Sequence, residues 1–273
     1  MRAILLSLFL LSCANPTKSI KKDIIEMKAK PHVFTRYKSG NKQMQFASSG
    51  SELLPPVLFI HGSPGSWEAW AAFLNNQELQ KKFHLLSVDR PGFGGSDPGN
   101  SELSLKVQAD AVAAALAFNK SGQKAIVVGH SYGAPVAVKM ALDHPGMVKS
   151  LILVAGSVDP DLEETKWYQN AATWWPFRVI IPTALRVANE EIMGLKPELK
   201  SMKKEWTNLS SRIVIIQGDA DDLVQKENVD FMKKLVSDKI VRIEMVPGLN
   251  HFVPWKRPDL ILQSIATESQ ITP

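Results

Sequence analysis

Six short apolar runs recur along the chain, with room for a helix between most of them. Val57-Leu58-Phe59-Ile60 lies between Pro55-Pro56 and Gly62, and Phe83 to Val88, Ala125 to Val128, Leu151 to Val154, Ile213 to Ile216 and Ile240 to Val246 follow. Short apolar runs of this kind, bounded by turn residues, predict strands buried on both faces. Between them the spacing of apolar positions lengthens. Leu105, Ala109, Val112 and Leu116 share one helix face. Val136 and Met140, with the alanines around them, predict a second helix, and Val229, Met232 and Val236 a third. Strands separated by helices predict a mostly parallel central sheet with helices on both faces, an α/β fold. Residues 33–47 (VFTRYKSGNKQMQFA) instead predict an antiparallel hairpin at the sheet edge.

The rhythm breaks once, between the strand ending near Gly156 and the one starting near Arg212. Residues 158–206 are expected to form an inserted helical lid, leaving 31–157 and 207–273 as the core. Trp167, Tyr168, Trp174, Trp175 and Phe177 crowd this insert. They read either as the lid's own small core or as an apolar wall over a ligand site or a membrane surface.

The amino terminus has a different character. Met1-Arg2 precedes an apolar stretch from Ala3 to Leu11 broken only by Ser7, well short of the ~20 residues that span a bilayer. It reads as an export signal over residues 1–12. The stretch ends at Ser12-Cys13, and Cys13 is the single cysteine of the chain. This junction resembles a bacterial lipoprotein signal, in which a small residue precedes the cysteine that becomes lipid-modified and N-terminal. Leu11 is bulkier than the residue most such signals carry there. The resemblance implies a lipid on Cys13 and a polar, Lys-rich tether over 13–30. It also implies a place in the bacterial cell envelope, lipid-anchored or periplasmic. Ala14 is not the acidic residue that retains some lipoproteins at the inner membrane, which favours the outer one.

Composition narrows the function classes. The 273 residues are 45% hydrophobic and 22% charged, ordinary for a globular domain large enough to bury a sizeable core. One cysteine excludes a disulfide framework and any multi-cysteine metal site. The net charge of +5 is not gathered into a Lys/Arg cluster interleaved with aromatics, so no nucleic-acid partner is expected. No Rossmann glycine pattern or metal-ligand spacing appears, so no cofactor is expected.

Gly129-His130-Ser131-Tyr132-Gly133 follows one predicted strand and precedes a predicted helix. A reversal this tight forces the serine into a strained conformation, and the flanking glycines relieve the crowding. Ser131 Oγ would stand near a helix N-terminus, whose free N–H groups favour developing negative charge. A serine needs a neighbouring base, and imidazole oriented by a carboxylate suits that task. His251 lies in a loop after a strand, where it can turn over the sheet's carboxyl edge. His61 and His130 adjoin motif glycines and read as packing residues, His144 reads as a helix-end residue, and His32 and His84 have no motif around them. Asp219, Asp221 and Asp222 all crowd one loop as candidate acids.

Four further segments occur in a telling order: His61-Gly62-Ser63-Pro64, Asp89-Arg90-Pro91-Gly92-Phe93-Gly94-Gly95-Ser96, Gln217-Gly218-Asp219-Ala220-Asp221 and Pro247-Gly248-Leu249-Asn250-His251-Phe252. With the serine motif they make residues 33–273 resemble the α/β-hydrolase family. The resemblance implies Ser131 as nucleophile and His251 as base. It selects Asp221 as the acid, three residues after the motif glycine, with Asp219 next. It implies an oxyanion hole from the backbone N–H groups of Ser63 and Tyr132, which leaves the Ser63 hydroxyl optional. Epoxide hydrolases and haloalkane dehalogenases of this fold attack with aspartate, so a serine points elsewhere. The expected activity is carboxylic-ester hydrolysis on a small-molecule acyl substrate, with Trp167, Trp174 and Trp175 lining the lid side. An iminopeptidase-like amidase, a carbon–carbon hydrolase, an acyltransferase and a non-catalytic anchored binding protein are the alternatives.

Overall fold

The computed structural model describes residues 32–164, 169–170 and 180–271. Cys13 and the aromatic residues Trp167, Tyr168, Trp174, Trp175 and Phe177 lie outside the described residues.

An eight-stranded sheet forms the centre, in the order β1-β2-β4-β3-β5-β6-β7-β8. Its strands are β1 (Val33–Ser39), β2 (Lys42–Ser49), β3 (Pro56–Ile60), β4 (His84–Asp89), β5 (Ala125–His130), β6 (Val148–Val154), β7 (Arg212–Gly218) and β8 (Ile240–Val246). Each of the six apolar runs falls in one of β3 to β8, except that Phe83 lies just before β4. β1 and β2 are the expected edge hairpin, antiparallel to each other, and β2 is also antiparallel to β4. From β4 onward every pairing is parallel.

Alternation along the strands separates two apolar layers. Leu58, Ile60, Val127, Leu151, Leu153 and Ile215 face the layer that holds α1 (Leu105–Ala113), α2 (Gly133–Asp143) and much of α3 (Thr183–Met202). Val57, Phe59, Val128, Ile152, Val154 and Ile216 face the opposite layer with Trp70 and Phe73. The last helix, α5 (Pro258–Gln270), covers that side through Leu260, Ile261 and Ile265. The helix α4 (Asn228–Val236) packs Val229, Met232 and Val236 on the first side, as their spacing predicts. A fully buried side chain of this size stabilises the fold by roughly 1.5–3 kcal/mol, so these rows hold the sheet against both helix layers.

The interval expected as a lid also contributes to the body. Leu195, Leu199 and Met202 of α3 and Trp206 after it join the main core, while Val187 and Ala188 pack on Phe93. Among the described residues no helix is long and apolar enough to cross a membrane. The carboxyl ends of β3, β4, β5, β7 and β8 open on one edge of the sheet, the usual place for a site in an open α/β sheet.

Candidate active site

Ser131 sits between the end of β5 and the start of α2, with φ of 54°. That left-handed conformation costs a non-glycine residue roughly 1–2 kcal/mol, and the surrounding backbone holds it in place. Ser131 N–H donates to Val154 O at 2.9 Å, and Ala134 N–H donates to Ser131 O at 3.0 Å. The flanking glycines are set by close approach. A Cβ at Gly129 would lie 2.5 Å from Gly133 O, and one at Gly133 would lie 2.4 Å from Ile60 O. A Cβ on Gly62 would lie 3.0 Å from Ser131 Cβ, so the loop after β3 rests directly against the serine.

His251 Nδ1 donates to Asp221 Oδ2 at 2.8 Å. Asp221 Oδ1 accepts the N–H groups of Leu223 and Val224 at 2.9 and 2.8 Å, and Gln217 Nε2 donates to Oδ2 at 3.3 Å. Burial pushes this carboxyl up, but the hydrogen bonds from His251, Val224 and Leu223 together hold it below the usual range. An ionised carboxylate at Nδ1 keeps the proton there and makes Nε2 the basic nitrogen. Asp219 and Asp222 are exposed. Asp219 Oδ1 instead accepts Gly248 N–H at 2.6 Å, clasping the loop that carries His251.

The other histidines near the site serve the scaffold. His130 Nε2 donates to His251 O at 3.1 Å, and the two rings lie 4.7 Å apart. This contact ties His251 to the residue before Ser131. Burial pushes His130 down to about 3, so its ring is neutral. His61 Nδ1 donates to Gly62 O at 2.7 Å, while its Nε2 accepts Arg90 N–H at 3.0 Å. Burial, reinforced by the Arg90 charge, holds His61 well below its ordinary value. His144, at the end of α2, pairs with Asp110 at 2.8 Å.

A buried polar network supports the loop after β3. Arg90, at the end of β4, donates through Nε to His61 O at 3.0 Å and through Nη2 to Gly62 O at 3.1 Å. Its guanidinium also meets Glu191 of α3 in a forked pair at 2.8 and 3.0 Å, and Gln108 of α1 at 2.7 Å. The Tyr132 and Phe93 rings lie against it, 4.6 and 5.0 Å from the guanidinium carbon. Ser63 Oγ donates to Glu191 Oε2 at 2.9 Å, so the hydroxyl that the sequence left optional has a partner. Burial pushes the Glu191 carboxyl up while Arg90, Ser63 and Gln108 pull it down. Sequence reasoning missed Arg90, Gln108 and Glu191. Arg90 lay inside a recognisable motif, whereas Glu191 carried no local signal.

The described residues hold no group of three or more His, Cys, Asp and Glu side chains suited to a metal ion. Their strand order, serine turn and acid–histidine pair, all at one sheet edge, settle the architecture. The chain has the α/β-hydrolase fold. A family model for that fold matches residues 55–179. The chain is 24% identical over 246 residues to epoxide hydrolase 3 of Xenopus tropicalis, covering 86% of the chain and 63% of the frog protein. Among solved structures it is similar to a bacterial membrane phospholipase A, with TM-score 0.68 and 19% identity over 99% of this chain and 98% of that one. A putative lipase of Acinetobacter baumannii AYE superposes with TM-score 0.70 and 17% identity, over 92% of this chain and 94% of that one.

Proposed function

We propose that the protein is a serine hydrolase that cleaves a small-molecule carboxylic ester through an acyl-enzyme on Ser131. The observation that carries this reading is the His251–Asp221 pair, with His251 packed on His130, the residue before a serine held at φ of 54° on the strand-to-helix turn. In the proposed cycle His251 Nε2 takes the Ser131 proton as Oγ bonds to the ester carbonyl carbon. The carbonyl electrons move onto oxygen, which faces the backbone N–H groups of Ser63 and Tyr132. Collapse of that adduct expels the alkoxide, which takes the proton from His251 and leaves as the alcohol. Water, deprotonated by His251, then cleaves the acyl-enzyme, releasing the acid and restoring Ser131.

Epoxide hydrolysis is the second reading, favoured by the similarity to epoxide hydrolase 3. As the family resemblance has it, that chemistry uses an aspartate nucleophile, and here Ser131 stands at the turn. A fluorophosphonate probe and parallel assays on p-nitrophenyl esters, amides and epoxides separate the readings. Labelling of wild type but not Ser131→Ala, with ester turnover, supports the serine hydrolase. Epoxide opening that survives Ser131→Ala, without labelling, overturns it. We further propose that a lipid on Cys13 anchors the enzyme in the bacterial cell envelope, and that Trp167, Trp174 and Trp175 set acyl preference.

A further inference from the structure

Glu191 and Ser63 are 128 residues apart, yet Ser63 Oγ donates to Glu191 Oε2 at 2.9 Å. The same carboxylate takes the forked bond from Arg90, and both charged side chains are completely buried. Arg90 in turn holds the carbonyl groups of His61 and Gly62. Gln108 Nε2 bonds Glu191 Oε1 at 3.2 Å and Tyr132 Oη at 3.4 Å. The carboxylate of α3 thus reaches the residues on both sides of Ser131, Ser63 and Tyr132, through at most one intermediary. A buried ion pair contributes little net stability over a well-packed apolar pair. Its value lies in the single arrangement that it enforces.

We propose that Glu191 is a positioning residue for the loop 61–63: through Ser63 and Arg90 it holds the Ser63 N–H where the carbonyl oxygen of the substrate becomes negative. This rests on the serine-hydrolase reading. The donor is a backbone group, so the side chain's task is to place it. Small misplacement of such a donor weakens transition-state binding far more than ground-state binding.

The full-length protein with Ser63→Ala is the test, because alanine keeps the backbone N–H and removes only the tether. Glu191 then still pairs with Arg90 and Gln108, so the fold is retained. With p-nitrophenyl acetate, kcat falls roughly ten- to a hundredfold while KM stays within about twofold. Fluorophosphonate labelling slows in parallel, and Ser63→Thr, which keeps the hydroxyl, restores most of kcat. Glu191→Gln reproduces the loss where it folds, and Ser63→Ala decides where it does not. If Ser63→Ala keeps kcat within about twofold of wild type, or Ser63→Thr is as slow as Ser63→Ala, the positioning role is overturned. Labelled, ester-cleaving wild type together with unimpaired Ser63→Ala removes this inference alone. A wild type that neither labels nor depends on Ser131 removes the serine-hydrolase reading as well.

Discussion

Asp221 receives His251 Nδ1 on one carboxylate oxygen at 2.8 Å and two backbone N–H groups on the other. Its neighbour Asp219 spends its carboxylate on Gly248 N–H instead. The two acids therefore predict different defects. Asp221→Asn presents an amide where a carboxylate fixed the tautomer, and kcat falls by about 10⁴, as in the protease precedent. Asp219→Asn retains an oxygen for Gly248, so kcat stays within about tenfold, and Asp222→Asn changes less still. Steady-state kinetics on one ester with all three variants decides the assignment. A larger loss in Asp219→Asn would move the acid to that position.

Removal of Ser131, the proposed nucleophile, separates activity from stability. Ser131→Ala leaves the fold intact and lowers kcat by about 10⁶, the scale seen when a triad serine is lost. Alanine inherits the positive φ of this position, whereas glycine adopts it freely. Ser131→Gly is therefore inactive but more stable than Ser131→Ala, by about 1 kcal/mol once glycine's greater unfolded-state entropy is counted. Urea unfolding of the two inactive variants measures the difference. A glycine variant less stable than the alanine one would mean that the turn is not strained.

The contrast between the two halves of the site explains what could be read from the chain. β3, β4, β5, β6 and β7 were legible because their residues are buried on both faces, which forces near-continuous apolar runs. The serine turn was legible because Gly129 and Gly133 meet backbone oxygens that no Cβ could approach. Local crowding leaves a local signature. Glu191 left none, because a charge at a buried helical position looks like a solvated face until its partner is known. That partner, Arg90, comes from a strand end 101 residues away. The same blindness applied to Ser63, whose hydroxyl gains a purpose only when α3 is folded against the loop.

Two neutral buried histidines make the fold acid-sensitive. His130 titrates at about 3 in the folded chain against 6.5 ordinarily, and His61 is shifted the same way. The unfolded chain therefore binds these protons first. The contribution is fully present above about pH 6.5 and is lost as pH falls toward 3, at up to about 1.4 kcal/mol per pH unit for each histidine. Asp89, raised to about 6 by burial, works in the opposite sense, since the folded chain binds its proton first between pH 6 and 4. Because these slopes overlap, the informative measurement is the difference between proteins. His130→Gln keeps a donor for His251 O and should flatten the decline in urea midpoint between pH 7 and 4. An unchanged slope would mean that His130 is protonated in the fold.

The tryptophans of the insert give a prediction about substrate length. If Trp174 and Trp175 line the acyl site as proposed, they would stabilise bound acyl chains by about 25 cal/mol per Å² removed from water. Replacing both with alanine then lowers kcat/KM more for long p-nitrophenyl esters than for acetate. An equal loss across the series assigns the cluster to packing within the insert.

The anchor at Cys13 is tested independently of the chemistry. The sole cysteine follows an apolar stretch, is preceded by the small Ser12 and is followed by the Lys-rich segment Lys18 to Lys30. One acyl chain alone holds a protein to a membrane only marginally, and stable attachment takes a second chain or signal. Lipoprotein processing would add two or three chains at this residue, enough to retain the enzyme at a membrane face without a spanning helix. Expressed at full length in a bacterial host, the wild-type protein partitions into the detergent phase and gains acyl mass on the peptide that begins at Cys13. Cys13→Ser does neither and, if exported at all, is recovered in the aqueous fraction with unchanged ester turnover. Aqueous recovery of the wild type, cleaved at another residue, would remove the anchor and leave the hydrolase to be judged on Ser131 alone.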